Sequence, residues 1–343
     1  MQMFLVLCLF FLSSCSSLEK VNEPKTPVAQ EMVKAKLDIY RPLVRENFDS
    51  YGLVVMGESI GDSALFSCLA RASGAADFDP LILLKDGKPV RHPEHKPAEL
   101  PNSKGSRGTP ISKDMVNGIL WCAYDLIRNG DTDRASELLS QMIEFGKKHK
   151  LSVVGEVGWL YCTEEDRQFY QITDDDWLGK CFMPPAVVKD IYRVAKKAGL
   201  PCDNDCQFYS TIGANIPNDR TGFERHLGVL TTIRNGFVDG AINDNSLEML
   251  KRAAEAEPRN ALYNAAYHIF GDGNQEVAFR GLMDETLFPS TELPTQKNYC
   301  TDYLFQRDEA GNKDWLPCPE KAEGKGRGVE FIFAASLALG EIR

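Results

Sequence analysis

Helical periodicity is the feature that most constrains how this chain folds. Apolar residues recur at spacings of three and four along ten stretches, whereas the alternation typical of strands is nearly absent. Only two short apolar runs, 53–56 and 81–84, have strand character, and both end at turns that contain glycine. The periodicity predicts helices over 30–49, 63–73, 113–129, 133–149, 184–198, 222–238, 245–256, 260–270, 274–286 and 329–340.

Short connections between these helices constrain the architecture further. The turn at 129–132 is so short that the helices on either side of it must pack antiparallel, and the turn around Pro258 has the same effect. Consecutive helical hairpins are typical of an α-solenoid or of a closed α/α toroid. We therefore predict an all-α fold, a complete or partial α/α toroid of helical hairpins with long loops on one face. The loops expected to carry function are 74–111, 151–183, 199–221 and 287–328.

Composition excludes several classes of function. With 343 residues, of which 43% are hydrophobic, the chain has enough apolar material for a sizeable core. Its net charge is −10 and it contains no basic block, so we expect no nucleic-acid partner, because neutralisation of phosphates dominates such binding. The overall charge also opposes attraction to anionic lipid head groups.

The N-terminus has the pattern of an export signal. The apolar run from Met3 to Leu12 is ten residues long, about half of the roughly 20 residues that span a membrane. Such a run, followed by small residues, is typical of a cleaved secretory signal, and no second long apolar run follows. We predict a signal over 1–15, a polar tether over 16–30 and a single helical domain over 31–343.

The end of this signal, Leu12-Ser13-Ser14-Cys15, resembles the cleavage box of bacterial lipoproteins. The resemblance implies that Cys15 becomes the lipidated first residue of the mature chain. The protein would then lie in the bacterial cell envelope, on the periplasmic side or at the cell surface, with the membrane as a partner through its lipid. The alternative is an ordinary signal cleaved near Ser14.

Cysteine usage also favours an exported protein. Of ten cysteines, eight remain when Cys8 and Cys15 are set aside, and an even number outside the cytoplasm is typical of disulfides. Cys68 and Cys122 lie in helical patterns, where we expect buried free thiols. No further Cys or His pair has the spacing of a zinc site, so no metal or other cofactor is expected. The candidate disulfide pairs are Cys300 with Cys318, Cys162 with Cys181, and Cys202 with Cys206.

The helix predicted at 113–129 carries an unusual polar stripe. Asp114, Gly118, Trp121 and Asp125 follow one another at helical spacing along one face. Trp121 offers a flat platform for a sugar ring, Gly118 leaves room for it, and the acids suit hydrogen bonding or acid–base work. In the alternative interpretation, Asp114 complements the helix dipole and Trp121 packs against a neighbouring helix.

Two further carboxylates are candidates for catalysis, because glycoside hydrolysis needs a pair of carboxyl groups of which one is protonated. Asp62 stands at a helix start beside Gly61. As an N-cap it would receive backbone N–H bonds that lower its pKa, which suits a base or an electrostatic stabiliser. Glu156 has apolar neighbours in the sequence that are expected to raise its pKa, as a general acid requires.

Four other residues are candidates for binding a carbohydrate substrate: Arg107, Tyr209, Arg225 and His226. A polysaccharide lyase, which is an alternative to a hydrolase, needs a Tyr or His base and a positive group near the uronate carboxylate. Tyr209, Arg225 and His226 would serve those roles. His226 also projects onto the apolar stripe of its helix, as a hydrogen-bonded core histidine does.

Three segments together resemble a known family: GDSALFSCLARASG at 61–74, DGKPVRHP at 86–93 and ISKDMVNGILWCAYDL at 111–126. They are similar to helical-toroid proteins of the six-hairpin glycosidase and polysaccharide lyase superfamily. The resemblance implies an α/α toroid that acts on glycans, so we expect a secreted or lipid-anchored protein that hydrolyses glycosidic bonds with Asp62 and Asp114. The alternative is a non-catalytic envelope lipoprotein that binds glycan or protein.

Overall fold

A computed structural model describes residues 26–55, 60–94, 109–153, 156–173, 181–212, 222–294 and 328–342, and most of them are helical. Each of the ten predicted helices forms, with bounds within a few residues of those expected, so a mostly α-helical fold is confirmed. The helices are α1 (Thr26–Arg45), α2 (Ser63–Ala72), α3 (Lys113–Arg128), α4 (Thr132–Lys148), α5 (Glu164–Tyr170), α6 (Pro185–Lys197), α7 (Asn204–Thr211), α8 (Gly222–Asp239), α9 (Asp244–Ala256), α10 (Ala261–Phe270), α11 (Gln275–Met283) and α12 (Val329–Ala338).

Two of these helices lie in stretches that we predicted to be loops. At the start of α5 the Thr163 side chain accepts from the Asp166 N–H, and the Asp166 carboxylate accepts from the Thr163 N–H at 2.7 Å. At the start of α7 the Asp203 carboxylate accepts from the Cys206 N–H at 2.9 Å. Side-chain capping, reciprocal at α5 and one-way at α7, therefore stabilises helices that are too short to show an apolar period.

Small sheets complete the secondary structure. A three-stranded antiparallel sheet in the order β3–β4–β5 consists of Lys150–Val153, Glu156–Leu160 and Phe182–Met183. A two-stranded ribbon pairs β1 (Leu84–Lys85) with β2 (Lys88–Pro89). Of the two runs with strand character, the described part of the first, 53–55, contains a bridge between Val54 and Phe48. The other run begins as a 3₁₀ turn, Pro80–Leu83.

The core is built around α12, whose ten residues are all buried. It packs against α2, α10 and α11, and also against α1. The Tyr40 hydroxyl of α1 donates to the Pro289 carbonyl at 2.7 Å, and Lys36 pairs with Glu285 at 3.0 Å. The first described helix is thus held against the last part of the chain.

Helices α2 and α3 pack side by side and run in the same direction. This close packing requires a glycine at position 118, because a Cβ there would lie against the backbone of Leu65 and 2.8 Å from the Ala64 carbonyl oxygen. Further along the pair, Arg128 donates to the Ala72 carbonyl at 2.9 Å. The early residues of α3 contact the early residues of α2, and the last residue of α3 contacts the last residue of α2. The N-terminus of α2 therefore lies beside the N-terminus of α3.

Three disulfides lie within the described residues. Two of them, Cys162–Cys181 and Cys202–Cys206, are the predicted pairs. Cys300 and Cys318 lie outside the described residues. The prediction of free thiols at Cys68 and Cys122 is wrong: they form a disulfide with a Cα–Cα separation of 4.8 Å, because the parallel packing of α2 and α3 brings their side chains face to face.

These disulfides are the state expected in an oxidising, extracellular environment. Among the residues that the structure describes, no helix combines the length and the apolar character needed to cross a membrane.

Candidate active site

The candidate site lies where α2 and α3 begin. Asp62 immediately precedes α2, and Asp114 is in the first turn of α3. Because the two helices run in the same direction, these carboxylates share one end of the pair. They are close enough that the charge of Asp62 raises the pKa of Asp114. The structure thus brings together two acids that are 52 positions apart in the chain.

Arg91 ties the two helix starts to each other through its backbone. Its carbonyl oxygen accepts from the Ala64 N–H of α2 at 3.0 Å, and its own N–H donates to the Pro110 carbonyl at 3.0 Å, just before α3. One residue therefore fixes how far apart the two acidic ends stand.

The Arg91 guanidinium also links the segments that precede α2 and α3. It donates to the Gly61 carbonyl at 2.8 Å and to the Thr109 carbonyl at 2.7 Å, and it also bonds the Thr109 hydroxyl at 3.0 Å. These bonds hold a positive charge close to Asp114, where it lowers the pKa of that acid. Arg91 was not among the residues singled out from the sequence.

The surroundings of Asp114 raise the pKa of its carboxyl group. Burial raises the pKa of its carboxyl group above 3.8, and the neighbouring Asp62 raises it further. Arg91 and a hydrogen bond from the Ser112 hydroxyl act in the opposite direction without cancelling the effect of burial. As a whole residue, Asp114 is partly exposed.

Asp62 does not act as a helix cap through its side chain. We predicted that backbone N–H groups would hold its carboxylate and lower its pKa, but the side chain makes no capping bond. Its backbone carbonyl accepts from the Phe66 N–H at 3.2 Å instead. As a whole residue, Asp62 is partly exposed.

The prediction that Trp121 of α3 forms a platform for a sugar ring is wrong. Trp121 has no exposed surface, because it packs edge-on against Phe333 of α12 at a ring-centroid distance of 5.0 Å. Gly118 receives α2 rather than a ligand. Asp125 is buried between Arg71 and Arg128, which it pairs with at 3.1 and 2.7 Å. Of the predicted stripe, only Asp114 reaches the surface as part of the site.

Glu156 does not have the apolar setting expected of a general acid. It begins β4 with its side chain exposed, opposite Val153 of β3. Side chains alternate along a strand, so Glu156 and the fully buried Trp159, three positions apart, point to opposite faces. The apolar neighbours in the sequence are thus on the other side of the sheet.

The three residues assigned to a lyase are also placed elsewhere. Tyr209 is buried in an aromatic cluster with Trp159 and Tyr192, and this burial raises its pKa, which disfavours the phenolate that a base requires. Arg225 pairs at 2.7 Å with Glu257, whose side chain is 1% exposed, so its charge is held inside the protein.

His226 is a core histidine rather than a surface contact. It is 2% exposed and lines an internal void of about 10 Å³, near Asn260 and Glu330. Such a void has room for about one water molecule and not for a sugar. Tyr209, Arg225 and His226 therefore do not form a lyase site.

Some predicted residues lie outside the described residues, namely Arg107 and Cys15. His92 lies within them, and its two ring nitrogens bond the Asp49 carboxylate at 2.6 Å and the Glu94 N–H at 3.0 Å. No cluster of three or more His, Cys, Asp or Glu side chains suited to a metal ion occurs among the described residues.

The site has a partial signal in the sequence. Asp62 and Asp114 lie at predicted helix starts, and Arg91 lies in a segment on which the family resemblance rests. The chain matches no protein-family model, and no curated protein matches it.

Proposed function

We propose that this protein is an exported glycan-active enzyme that hydrolyses glycosidic bonds with Asp114 and Asp62. The observation that carries the proposal is the position of these carboxylates at the adjacent, parallel starts of α2 and α3, where burial, and to a smaller extent the charge of Asp62, raises the pKa of Asp114. Hydrolysis of a glycoside requires two carboxyl groups in different protonation states.

The environment of each acid suggests its role. Asp114 acts as the general acid, because burial and a neighbouring negative charge favour its protonated form. Asp62, the carboxylate at the neighbouring helix start, attacks the anomeric carbon or activates a water molecule. Arg91 positions both groups by holding the segments that carry them.

A helical toroid is the architecture that we propose for this site. Its support is that α1 packs against both α11 and α12, so that helices from the two ends of the described chain meet, as closure of a ring requires. Arg91 and Thr109, which come from the long segment between α2 and α3, lie at the end of the helix pair that holds Asp62 and Asp114.

We also propose that the mature protein is anchored in the bacterial envelope through a lipid on Cys15. The lipoprotein-like box at Leu12–Cys15 and the disulfides of the folded domain support this location. A glycan in the envelope or outside the cell would be its substrate.

The test is release of reducing ends from a panel of polysaccharides and oligosaccharides by the purified protein. Asp62→Asn and Asp114→Asn should each lower the rate by about 10²–10⁴-fold, the usual contribution of a positioned acid or base. Asp133→Asn is the matched control, because Asp133 is an exposed acid in the first turn of α4 and should have no effect.

Wild-type rates in folded Asp62→Asn and Asp114→Asn variants would contradict the assignment. Binding of a glycan by the wild-type protein with no release of product would favour the non-catalytic lipoprotein instead.

A further inference from the structure

An open cleft lies along α6, between that helix and the ends of α7 and α8. Its volume is about 490 Å³, within the usual range for small-molecule sites. The cations on its wall are Lys189, Arg193, Lys196 and Lys197, and we call this surface the basic cleft. These residues follow one another at spacings of four, three and one along α6, which places them on one helix face.

The basic cleft concentrates positive charge on a protein whose net charge is −10. Against its four cations, the one carboxylate on the wall is that of Asp239, which pairs with Arg193 at 3.2 Å. A local excess of one sign in a concave surface raises the concentration of counter-ions there. The wall therefore attracts anions even though the whole molecule does not.

The second acid near the cleft is already neutralised from inside. Asp190 bonds Arg193 at 2.9 Å, and it also lies 3.4 Å from Arg234, which is 1% exposed. Asn235 donates to the same carboxylate at 2.9 Å. Because Arg234 shares the charge of Asp190, this acid does not balance the lysines of the cleft.

The ammonium groups of the three lysines are the hydrogen-bond donors of the basic cleft. Lys189 is held in place by a hydrogen bond to the Ile212 carbonyl, and burial together with the charge of Arg193 lowers its pKa. Lys196 and Lys197 are exposed, and within the described part of the chain neither has an ion-pair partner. Their ammonium groups are available to a ligand.

We propose that the basic cleft binds a phosphate group. The planar fork of Arg193 is already engaged by two carboxylates, so it is not available for the bidentate contact that favours a carboxylate ligand. The remaining donors are ammonium groups, which act as point charges and bind phosphate in that way. A phosphate carries enough oxygens and charge to satisfy several ammonium groups at once.

The basic cleft is separate from the candidate active site. The Ser136 hydroxyl, near the start of α4, donates to the Ala198 carbonyl just after α6 at 2.7 Å. The end of α6 thus lies beside the turn that joins α3 to α4, which is the opposite end of α3 from Asp114. Phosphate binding there does not depend on the proposed hydrolysis.

The test measures binding of inorganic phosphate to the purified full-length protein by calorimetry at low salt, with acetate as the carboxylate probe. We expect phosphate to bind more tightly than acetate, and binding to weaken as NaCl is raised. The double change Lys196→Gln and Lys197→Gln should weaken phosphate binding at least tenfold. The matched control is Lys147→Gln with Lys148→Gln, since these residues occupy the same last-turn positions in α4.

A second arm identifies the source of the phosphate. Vesicles of phosphatidylglycerol and of phosphatidylcholine are compared for binding of the wild-type and double-lysine proteins. Loss of phosphate binding alone supports a soluble phosphate ligand, and loss of both phosphate and phosphatidylglycerol binding supports a lipid head group. Unchanged phosphate binding in the folded double variant, an equal loss in the α4 control, or equally tight acetate binding would each overturn the proposal.

Discussion

The disulfide between Cys68 and Cys122 should contribute more to stability than the other two disulfides in the described residues. A crosslink restricts the unfolded chain, and the restriction grows with the length of the loop that it closes. The sequence separations are 54 for Cys68–Cys122, 19 for Cys162–Cys181 and 4 for Cys202–Cys206. At 25 °C the chain-entropy relation gives losses of about 4, 3 and 2 kcal/mol, respectively, when each pair is removed.

The measurement is urea unfolding, followed by tryptophan fluorescence, of three proteins in which one pair at a time is replaced by alanine. We expect the free energies of unfolding to fall in the order of loop length. The denaturant slope should rise most for the variant without Cys68–Cys122, because its unfolded state expands most.

The control within this series is the Cys202–Cys206 pair, whose loop is too short to restrict the chain strongly. If its removal costs as much free energy as removal of Cys68–Cys122, restriction of the unfolded chain is not the source of the stability. A third result, an unchanged stability without Cys68–Cys122, would show that packing alone holds α2 against α3.

Two further predictions concern the same helix pair. Gly118→Ala should lower the free energy of unfolding by about 1–3 kcal/mol, because the added Cβ meets the backbone of α2; on an uncrowded helix the same change is stabilising, so a rise in the urea midpoint would contradict the close contact. Asp114→Asn should stabilise the protein at pH 7, because the pKa of Asp114 is raised in the folded state and its ionisation costs stability as the pH rises above 3.8. The gain should shrink as the pH is lowered toward 3.8, and urea midpoints that show a loss at pH 7 would refute it.

The helices were predictable because their signals are local. Asn243 and Asn260 precede α9 and α10, and each accepts from a backbone N–H of its helix at 2.9 and 3.3 Å. Gly130 lies in the turn after α3 with a φ of +85°, a backbone conformation that glycine adopts without strain. Such features need no knowledge of the rest of the fold.

The errors concern packing between helices. Residues Met115–Leu126 of α3 are buried on all sides, so no face of that helix was available for the sugar platform predicted at Trp121. The Cys68–Cys122 disulfide depends on the register of α2 against α3, which no short segment of sequence encodes. Arg91 acts through contacts with both helix starts, and its role appears only when they are adjacent.

The parallel course of α2 and α3 has an electrostatic consequence. Each helix carries a partial positive charge at its N-terminus, worth about half an elementary charge, and here two such ends stand next to each other. The two dipoles repel, and the covalent link between Cys68 and Cys122 holds them together against that repulsion. A negative charge at this end of the helix pair is therefore stabilised by both helices at once.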